Sequence, residues 1–442
     1  MTLMVPSTTP ATSLTSPGLG PETSAGRQAL DSALLLLDEA AGLLGLDDGL
    51  RTMLATPRRS LTVSVPVLRE DGRTDVLQGF RVQHNTTLGP ARGGIRFAPS
   101  ADIHEVTALA MRTTWKYALA GVLYGGAKGG VRVDPTSLSA WELERVTRRY
   151  VNEIMPIIGP EGDVPAPDAG ADERTTASIA AWIADGYSAQ TGYSAPGAVA
   201  GGSAASGDSP DEAAAASSGA CAAVLRALGT LPGSPAGRTV AVHGFGETGS
   251  LTARRLTGEG CRVVALCDAT GAVADRSGLD VESLRAWARE TGGVYGYRNA
   301  DTLSREELLG LDVDVLVLAA PASPITAQDA PGVGARLVVE AVDGPVTPDA
   351  DPILAGAGTV VIPDILTGAG SVIASRLGGT PSSGPRSWGI GGAGTRLRGL
   401  AGGCFDTVAA MSAERGLTLR QAAHAVGVGR VAEAHRARGL RL

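Results

Sequence analysis

At 442 residues the chain exceeds what one hydrophobic core of ordinary size serves, so two domains are expected. It is 43% hydrophobic and 19% charged with 61 glycines, a balance that calls for many tight turns and excludes a chain disordered throughout. The net charge is −7 with the arginines scattered, which excludes a basic face for nucleic acid, and every apolar run is broken early, as by Asp38 and Glu39 or by Pro321, which excludes a membrane span.

The first 26 residues, rich in Ser, Thr, Pro and Gly, contain neither a basic start nor an apolar core of signal-peptide length, and read as a disordered tail. From Arg27 to Leu46 the spacing of Leu30, Leu34, Leu37, Ala41 and Leu44 predicts a helix packed on one face. Leu61, Val63, Val65 and Val67 alternate as on a strand, and Gly79 to His84 supplies a strand to pair with it, leading into the glycine-rich Gly89-Pro90-Ala91-Arg92-Gly93-Gly94. Asp102, with Glu105 three residues on, opens a predicted helix as a capping-box variant, and Lys116 falls near its end. The stretch Tyr124 to Gly130 is expected to be a second loop, leaving Lys128 between glycines where backbone approaches a ligand closely.

From Tyr193 to Ala216 the chain is almost wholly Ala, Gly, Ser, Pro and Asp, a predicted hinge between two units. Beyond it, short apolar strands at 238–243, 262–267, 313–318, 337–340 and 359–362 alternate with helical stretches, the pattern of a parallel, doubly wound sheet. A Gly/Ser/Pro segment from Gly378 to Gly394 precedes a helical C-terminal part. The expected organisation is therefore α/β: a tail over 1–26, a first α/β domain over 27–200, a Rossmann-type domain over 201–377, and a linker with C-terminal helices over 378–442 that pack back towards the first domain. Cys221, Cys261, Cys267 and Cys404 form no disulfide framework and show no metal-ligand spacing with histidine, so no metal is expected and a reducing cytoplasm fits.

The strand ending at His243 runs directly into Gly244-Phe245-Gly246-Glu247-Thr248-Gly249, and Asp268 closes the next strand 19 residues after the last glycine. Strand before, helix after and acid at that distance make a dinucleotide fingerprint: the glycines allow a tight turn and close approach of a pyrophosphate to a helix N-terminus, and the acid accepts from a ribose. Asp268 taken alone would equally begin the turn to Gly271. An acid there disfavours a 2′-phosphate, so NAD is preferred, with NADP possible.

All 38 basic residues are arginine except Lys116 and Lys128. A chain that otherwise chooses arginine is expected to keep lysine where a compact, tunable amine is needed; the alternative is that two lysines merely persist. Lys116 follows Trp115 on an apolar helix and Lys128 comes 12 residues later among glycines, settings in which desolvation would lower a lysine pKa towards neutrality.

Through Arg81-Val-Gln-His-Asn85, Gly89 to Phe97, Thr114 to Leu119, Gly125 to Gly130, Gly159 to Asp168 and Val361 to Leu366, the chain resembles the glutamate/leucine/phenylalanine/valine dehydrogenases, and among them the glutamate enzymes most. The resemblance covers nearly all of the chain after the tail. It implies an NAD-linked amino-acid dehydrogenase converting L-glutamate to 2-oxoglutarate and ammonium, assembled as a homo-oligomer, a hexamer in much of the family. In that reading Lys128 activates water and stabilises the carbinolamine, Asp168 shuttles protons to and from ammonia, and Lys116 binds the substrate α-carboxylate. Arg92, with Ser375, stands where the family selects the substrate side chain. An arginine in place of the usual lysine keeps the charge for a γ-carboxylate. The bland readings are a helix cap for Asp168 and a neighbouring acid as partner for Arg92.

The sequence departs from the family around the nicotinamide. Ala215-Ala-Ser-Ser-Gly219 lacks a threonine, Ser323 and Asp343 each replace an asparagine, and Ser194-Ala-Pro-Gly197 replaces a lysine-containing turn. Two alternatives follow: a dehydrogenase for a different amino acid, or a catalytically weak regulatory paralogue that binds cofactor or 2-oxo acid.

Overall fold

The computed structural model describes residues 24–168, 173–193, 212–298, 300–320, 325–378 and 392–438. Most of the predicted tail, the hinge before residue 212, residues 379–391 and Ser323 lie outside the described residues.

The first unit opens with α1 (Ser24–Leu44), which begins inside the predicted tail, and α2 (Asp48–Ala55), followed by β1 (Arg59–Leu68) and β2 (Thr74–Asn85). Then come β3 (Ala91–Ala98), α3 (Ile103–Leu119), β4 (Gly125–Arg132), α4 (Ala140–Ile154), β5 (Asp163–Pro167) and α5 (Glu173–Thr191). The sheet order is β1-β2-β4-β3-β5, with β1, β2 and β4 antiparallel and β3 parallel to both of its neighbours. Asp102 caps α3 by accepting from the Glu105 N–H at 2.8 Å, while the Glu105 carboxylate pairs with Arg96 at 3.0 Å.

The expected loop at Tyr124 to Gly130 is instead the central strand β4, buried along nearly its whole length. Its glycines serve close packing. A Cβ at Gly126 would lie 2.3 Å from the Thr114 amide nitrogen of α3, and one at Gly129 would lie 2.5 Å from the Tyr150 hydroxyl of α4. With side chains there, neither helix would reach the sheet. Strand periodicity then places Lys128 on the α3 face with Gly126 and Gly130.

The second unit contains α6 (Glu212–Gly229), β6 (Thr239–His243), α7 (Glu247–Gly258), β7 (Arg262–Asp268), β8 (Gly271–Ala274), α8 (Val281–Thr291), β9 (Asp301–Leu303) and α9 (Arg305–Leu309). It continues with β10 (Val315–Leu318), β11 (Leu337–Glu340), α10 (Asp351–Gly356), β12 (Val360–Ile362), α11 (Asp364–Thr367) and α12 (Ala369–Gly378). Residues Glu212 to Ala216, expected in the hinge, are helical, because their alanines have the highest helix propensity.

The sheet order is β12-β11-β10-β6-β7-β8-β9. Its five longer-range strands are parallel and were legible as apolar runs because both faces are covered: Val240, Val242, Val315 and Val317 face one layer, Ala241, Leu316, Leu318 and Val338 the other. The antiparallel edge of β8 and β9 was not legible, since those strands have only 4 and 3 residues. Chain direction across the sheet reverses between β6 and β10, a topological switch point.

Two final helices, α13 (Gly392–Arg415) and α14 (Leu419–Ala437), complete the chain, and the former takes in the last three residues of the predicted Gly/Ser/Pro segment. Val428, Val431 and Ala432 of α14 pack with Leu37 of α1 and Trp115 of α3. Arg430 donates to the carbonyls of Ala118 (2.9 Å) and Leu119 (2.7 Å), satisfying the open C-terminal end of α3. No helix among the described residues is long and apolar enough to cross a membrane, and the four cysteines are free and buried.

Beneath α3 the buried His84 ring of β2 contacts the Thr114 hydroxyl at 2.8 Å and the Leu54 carbonyl at 2.9 Å. The carbonyl can only accept, so that nitrogen carries the proton of a neutral ring. Burial pushes its pKa down to about 4. A lowered folded-state pKa means the unfolded chain binds the extra proton first, so stability is lost as pH falls from the unfolded value near 6.5 towards 4. Between pH 7 and pH 5, wild-type protein is expected to lose about 2 kcal/mol more than His84→Gln at equal protein concentration. Denaturant titrations at the two pH values check this, and equal losses would remove His84 from the acid sensitivity.

Candidate active site

Lys128 projects from β4 and is 7% exposed; its Nζ donates to Asp168 Oδ1 at 2.6 Å. Asp168 follows β5, and its backbone N–H donates to the Ile95 carbonyl of β3 at 3.2 Å, which fixes the carboxylate above the sheet. Gly94 is required beneath it, because a Cβ there would meet Asp168 Oδ1 at 2.6 Å. Two strands and the chain leaving a third thus hold an ammonium and a carboxylate within proton-transfer distance.

Arg92 of β3 is 6% exposed, and its guanidinium lies over the Tyr124 ring, 5.2 Å from the centroid. Among the described residues it has no ion pair or hydrogen bond. The expected alternative partner, a neighbouring acid, is therefore not found among them. Ser375 sits on α12 with its hydroxyl donating to the Val372 carbonyl at 3.1 Å, and no contact joins it to Arg92.

Lys116, in the last turn of α3, pairs with Asp343 in the loop after β11, so the two units meet through this contact. The expectation of a lowered pKa fails for Lys116. Burial does pull its ammonium down, but the carboxylates of Asp343 and Asp364 more than offset this and raise it above the ordinary lysine value. Desolvation at the junction of the two units raises Asp343, whose side chain is still 39% exposed, yet Lys116 and then Lys128 hold its carboxyl well below the usual range.

Behind this pair lies a charged cluster that pattern reasoning missed. Arg112 of α3 donates to Asp364 Oδ2 at 3.0 Å, and the Gly344 N–H donates to the same oxygen at 2.9 Å. Glu340, fully buried at the end of β11, accepts from the N–H groups of Asp364 (2.8 Å) and Val346 (3.0 Å) and is gripped by two Arg420 nitrogens at 3.0 Å. The only signal was a glutamate closing an otherwise apolar strand, Leu337 to Glu340.

The glycine fingerprint lies at the switch point, where Gly244, with φ +106°, makes the turn. A Cβ on Gly244 would meet Ala319 backbone at 2.6 Å, and one on Gly249 would meet the Gly244 carbonyl at 1.9 Å, so these two serve the turn and the helix–strand approach. A Cβ on Gly246 would meet nothing within 4 Å. Gly246 caps α7 with no side-chain bond to the helix N–H groups, and Phe245, Glu247 and Thr248 line the same turn. Open space over uncapped N–H donors fits a pyrophosphate. Asp268 makes the turn: Oδ1 accepts from the Thr270 N–H at 2.7 Å and Oδ2 from the Val294 N–H at 2.9 Å, and the residue is part-exposed at the sheet's carboxyl edge.

A doubly wound sheet with this turn, joined to a sheet carrying a lysine–aspartate pair, defines a two-domain α/β dehydrogenase. Family models bear this out: the Glu/Leu/Phe/Val dehydrogenase dimerisation domain matches residues 57–189, and the Glutamate/Leucine/Phenylalanine/Valine dehydrogenase domain matches residues 207–439. The chain belongs to that family. It is 39% identical to glutamate dehydrogenase from Thermotoga maritima across 93% of this chain and 98% of that protein. It is 37% identical to NAD-specific glutamate dehydrogenase from Staphylococcus aureus across 91% and 96%. The solved hetero-hexameric glutamate dehydrogenase from Thermus thermophilus, in a leucine-bound form, superposes with a TM-score of 0.86 at 34% identity, covering 96% of this chain and 100% of that one.

Proposed function

We propose that the protein catalyses reversible oxidative deamination of L-glutamate: L-glutamate, NAD and water give 2-oxoglutarate, ammonium, NADH and a proton. The observation that carries the substrate assignment is Arg92, a buried guanidinium with no anionic partner among the described residues, on the same β3–β4 framework as Lys128. A guanidinium on a largely buried side chain, with no anion of its own, is placed to pair with a ligand γ-carboxylate in a bidentate fork. Identity above one third to enzymes named for glutamate, one of them NAD-specific, supports the same reading.

Bound NAD supplies the hydride acceptor. The chain's own residues do the rest: Lys116 holds the substrate α-carboxylate and Arg92 the γ-carboxylate, which sets the orientation of Cα. Lys128 stabilises developing negative charge on oxygen as water adds, and Asp168, in contact with its ammonium, takes and returns the proton exchanged with the amine. Gly244, Gly246 and Gly249, with Asp268, Ser323 and Asp343 around the cofactor, and Ser375 near the side chain, complete the proposed set. The proposed boundaries are 27–200 for the substrate domain and 201–377 for the cofactor domain, with 378–442 returning to the first. A hexamer is proposed on the Thermus likeness, with exposed Leu68, Val76 and Trp141 around the β1 edge as apolar surface for subunit contacts, and a reducing cytoplasm is proposed on the four free cysteines.

The test follows NADH oxidation with ammonium and either 2-oxoglutarate or 4-methyl-2-oxopentanoate. Arg92→Met is expected to raise KM for 2-oxoglutarate by about 100-fold and to narrow the preference over the apolar oxo acid. Wild-type preference for the apolar oxo acid would overturn the glutamate assignment. The engagement of Lys116 by the chain's own Asp343 favours a second reading, a regulatory paralogue, which NADH binding without turnover on any oxo acid would establish.

A further inference from the structure

Lys116 and Asp343 meet across the junction of the two units, the lysine on α3 and the aspartate in the loop after β11. The loop is braced. Its Gly344 N–H is held by Asp364 at 2.9 Å and its Val346 N–H by Glu340 at 3.0 Å, so the Asp343 carboxylate is presented to Lys116 from a fixed backbone. The lysine side chain is 15% exposed, and Asp343 is its one ion-pair partner among the described residues. The aspartate side chain is 39% exposed, which leaves a solvent side from which another carboxylate can exchange.

We propose that Asp343 is an affinity-determining residue: in the empty enzyme it occupies, on Lys116, the position of the substrate α-carboxylate, and substrate binds by displacing it. This rests on the assignment of Lys116 as the α-carboxylate site. One carboxylate replaces another on the same ammonium, so the intrinsic contact is little changed, but the observed affinity is reduced to the intrinsic affinity multiplied by the fraction of Lys116 that is free. The pair also spans the two units, beside the Arg112–Asp364 pair, so a dicarboxylate is bound only after an internal ion pair between them opens.

The experiment is isothermal titration of 2-oxoglutarate into full-length protein saturated with NADH, for wild type, Asp343→Asn and Lys116→Met, with NADH titrated separately and thermal melts confirming that each variant folds. Binding, unlike turnover, reads the proposal in an active or a silent enzyme. Asp343→Asn is expected to tighten 2-oxoglutarate binding about 10-fold, the order expected for a partly exposed ion pair. Unchanged or weaker binding in that variant, together with weaker binding in Lys116→Met, overturns the competition while leaving Lys116 as the carboxylate site. Unchanged binding in Lys116→Met overturns that assignment itself. A change in NADH affinity with 2-oxoglutarate binding unaltered in Asp343→Asn leaves the aspartate a cofactor contact alone and overturns the proposal.

Discussion

Replacing Lys128 with alanine is expected to lower kcat by about three to four orders of magnitude while the protein remains folded and binds NADH with wild-type affinity. The side chain is 7% exposed, and its ammonium is set 2.6 Å from Asp168, so it is pre-positioned and water competes weakly for it. Removing it takes away charge stabilisation at oxygen and leaves Asp168 without its partner. Asp168→Asn keeps the shape but loses the proton acceptor and is expected to cost about 100-fold to 1000-fold, less than the lysine. Because the two act as a unit, the double variant should be little slower than Lys128→Ala alone. Steady-state and single-turnover NADH absorbance at saturating ammonium measures all three. Activity of Lys128→Ala within tenfold of wild type would remove the lysine from the chemistry.

Arg420→Leu is expected to destabilise the protein by roughly 3–5 kcal/mol, because the fully buried Glu340 carboxylate, and with it that of Asp351, would remain without its charge partner. This exceeds the loss of an exposed pair such as Arg27–Asp31, worth under about 1 kcal/mol. The pH dependence has a definite sign. Burial, together with Asp364, already raises the Glu340 pKa against the pull of Arg420, and without the arginine it rises further. A carboxyl with a raised folded-state pKa holds its proton after the unfolded chain has lost it, so stability falls as pH rises through the folded value. The deficit of Arg420→Leu should therefore shrink as pH is lowered towards 5, and Glu340→Met with Arg420→Met should recover part of it. Denaturant midpoints at pH 7 and pH 5 measure both effects. A pH-independent deficit would mean that an unpaired Glu340 carboxylate is not what destabilises the variant.

The consequence for function is geometric. Glu340 ties the loop bearing Asp343 to the start of α11, Asp364 passes that constraint to Arg112, and Arg420 anchors the assembly from α14. A C-terminal helix therefore braces the junction at which Lys116 sits. Loosening it is expected to disturb substrate binding as well as stability.

Amino-acid order by itself determined whatever depends on near neighbours. The five parallel strands of the second sheet appear as apolar runs because each is buried on both faces. The turn at Gly244 is encoded locally by the residues that must make it, and the helix at Asp102 by its cap. Lys116 and Lys128 stand out because the rest of the chain uses arginine. Only the tertiary structure decided that the glycines around Lys128 make a strand, since the demand comes from Thr114 and Tyr150 pressing on the sheet, not from a turn. Likewise, Lys116 meets Asp343 across 227 positions and Glu340 meets Arg420 across 80. Such pairs leave no periodicity, because their partners are chosen by how helices and sheets stack. The same stacking turned Lys116 from an amine expected to titrate low into one held charged, as nearby carboxylates outweigh its burial.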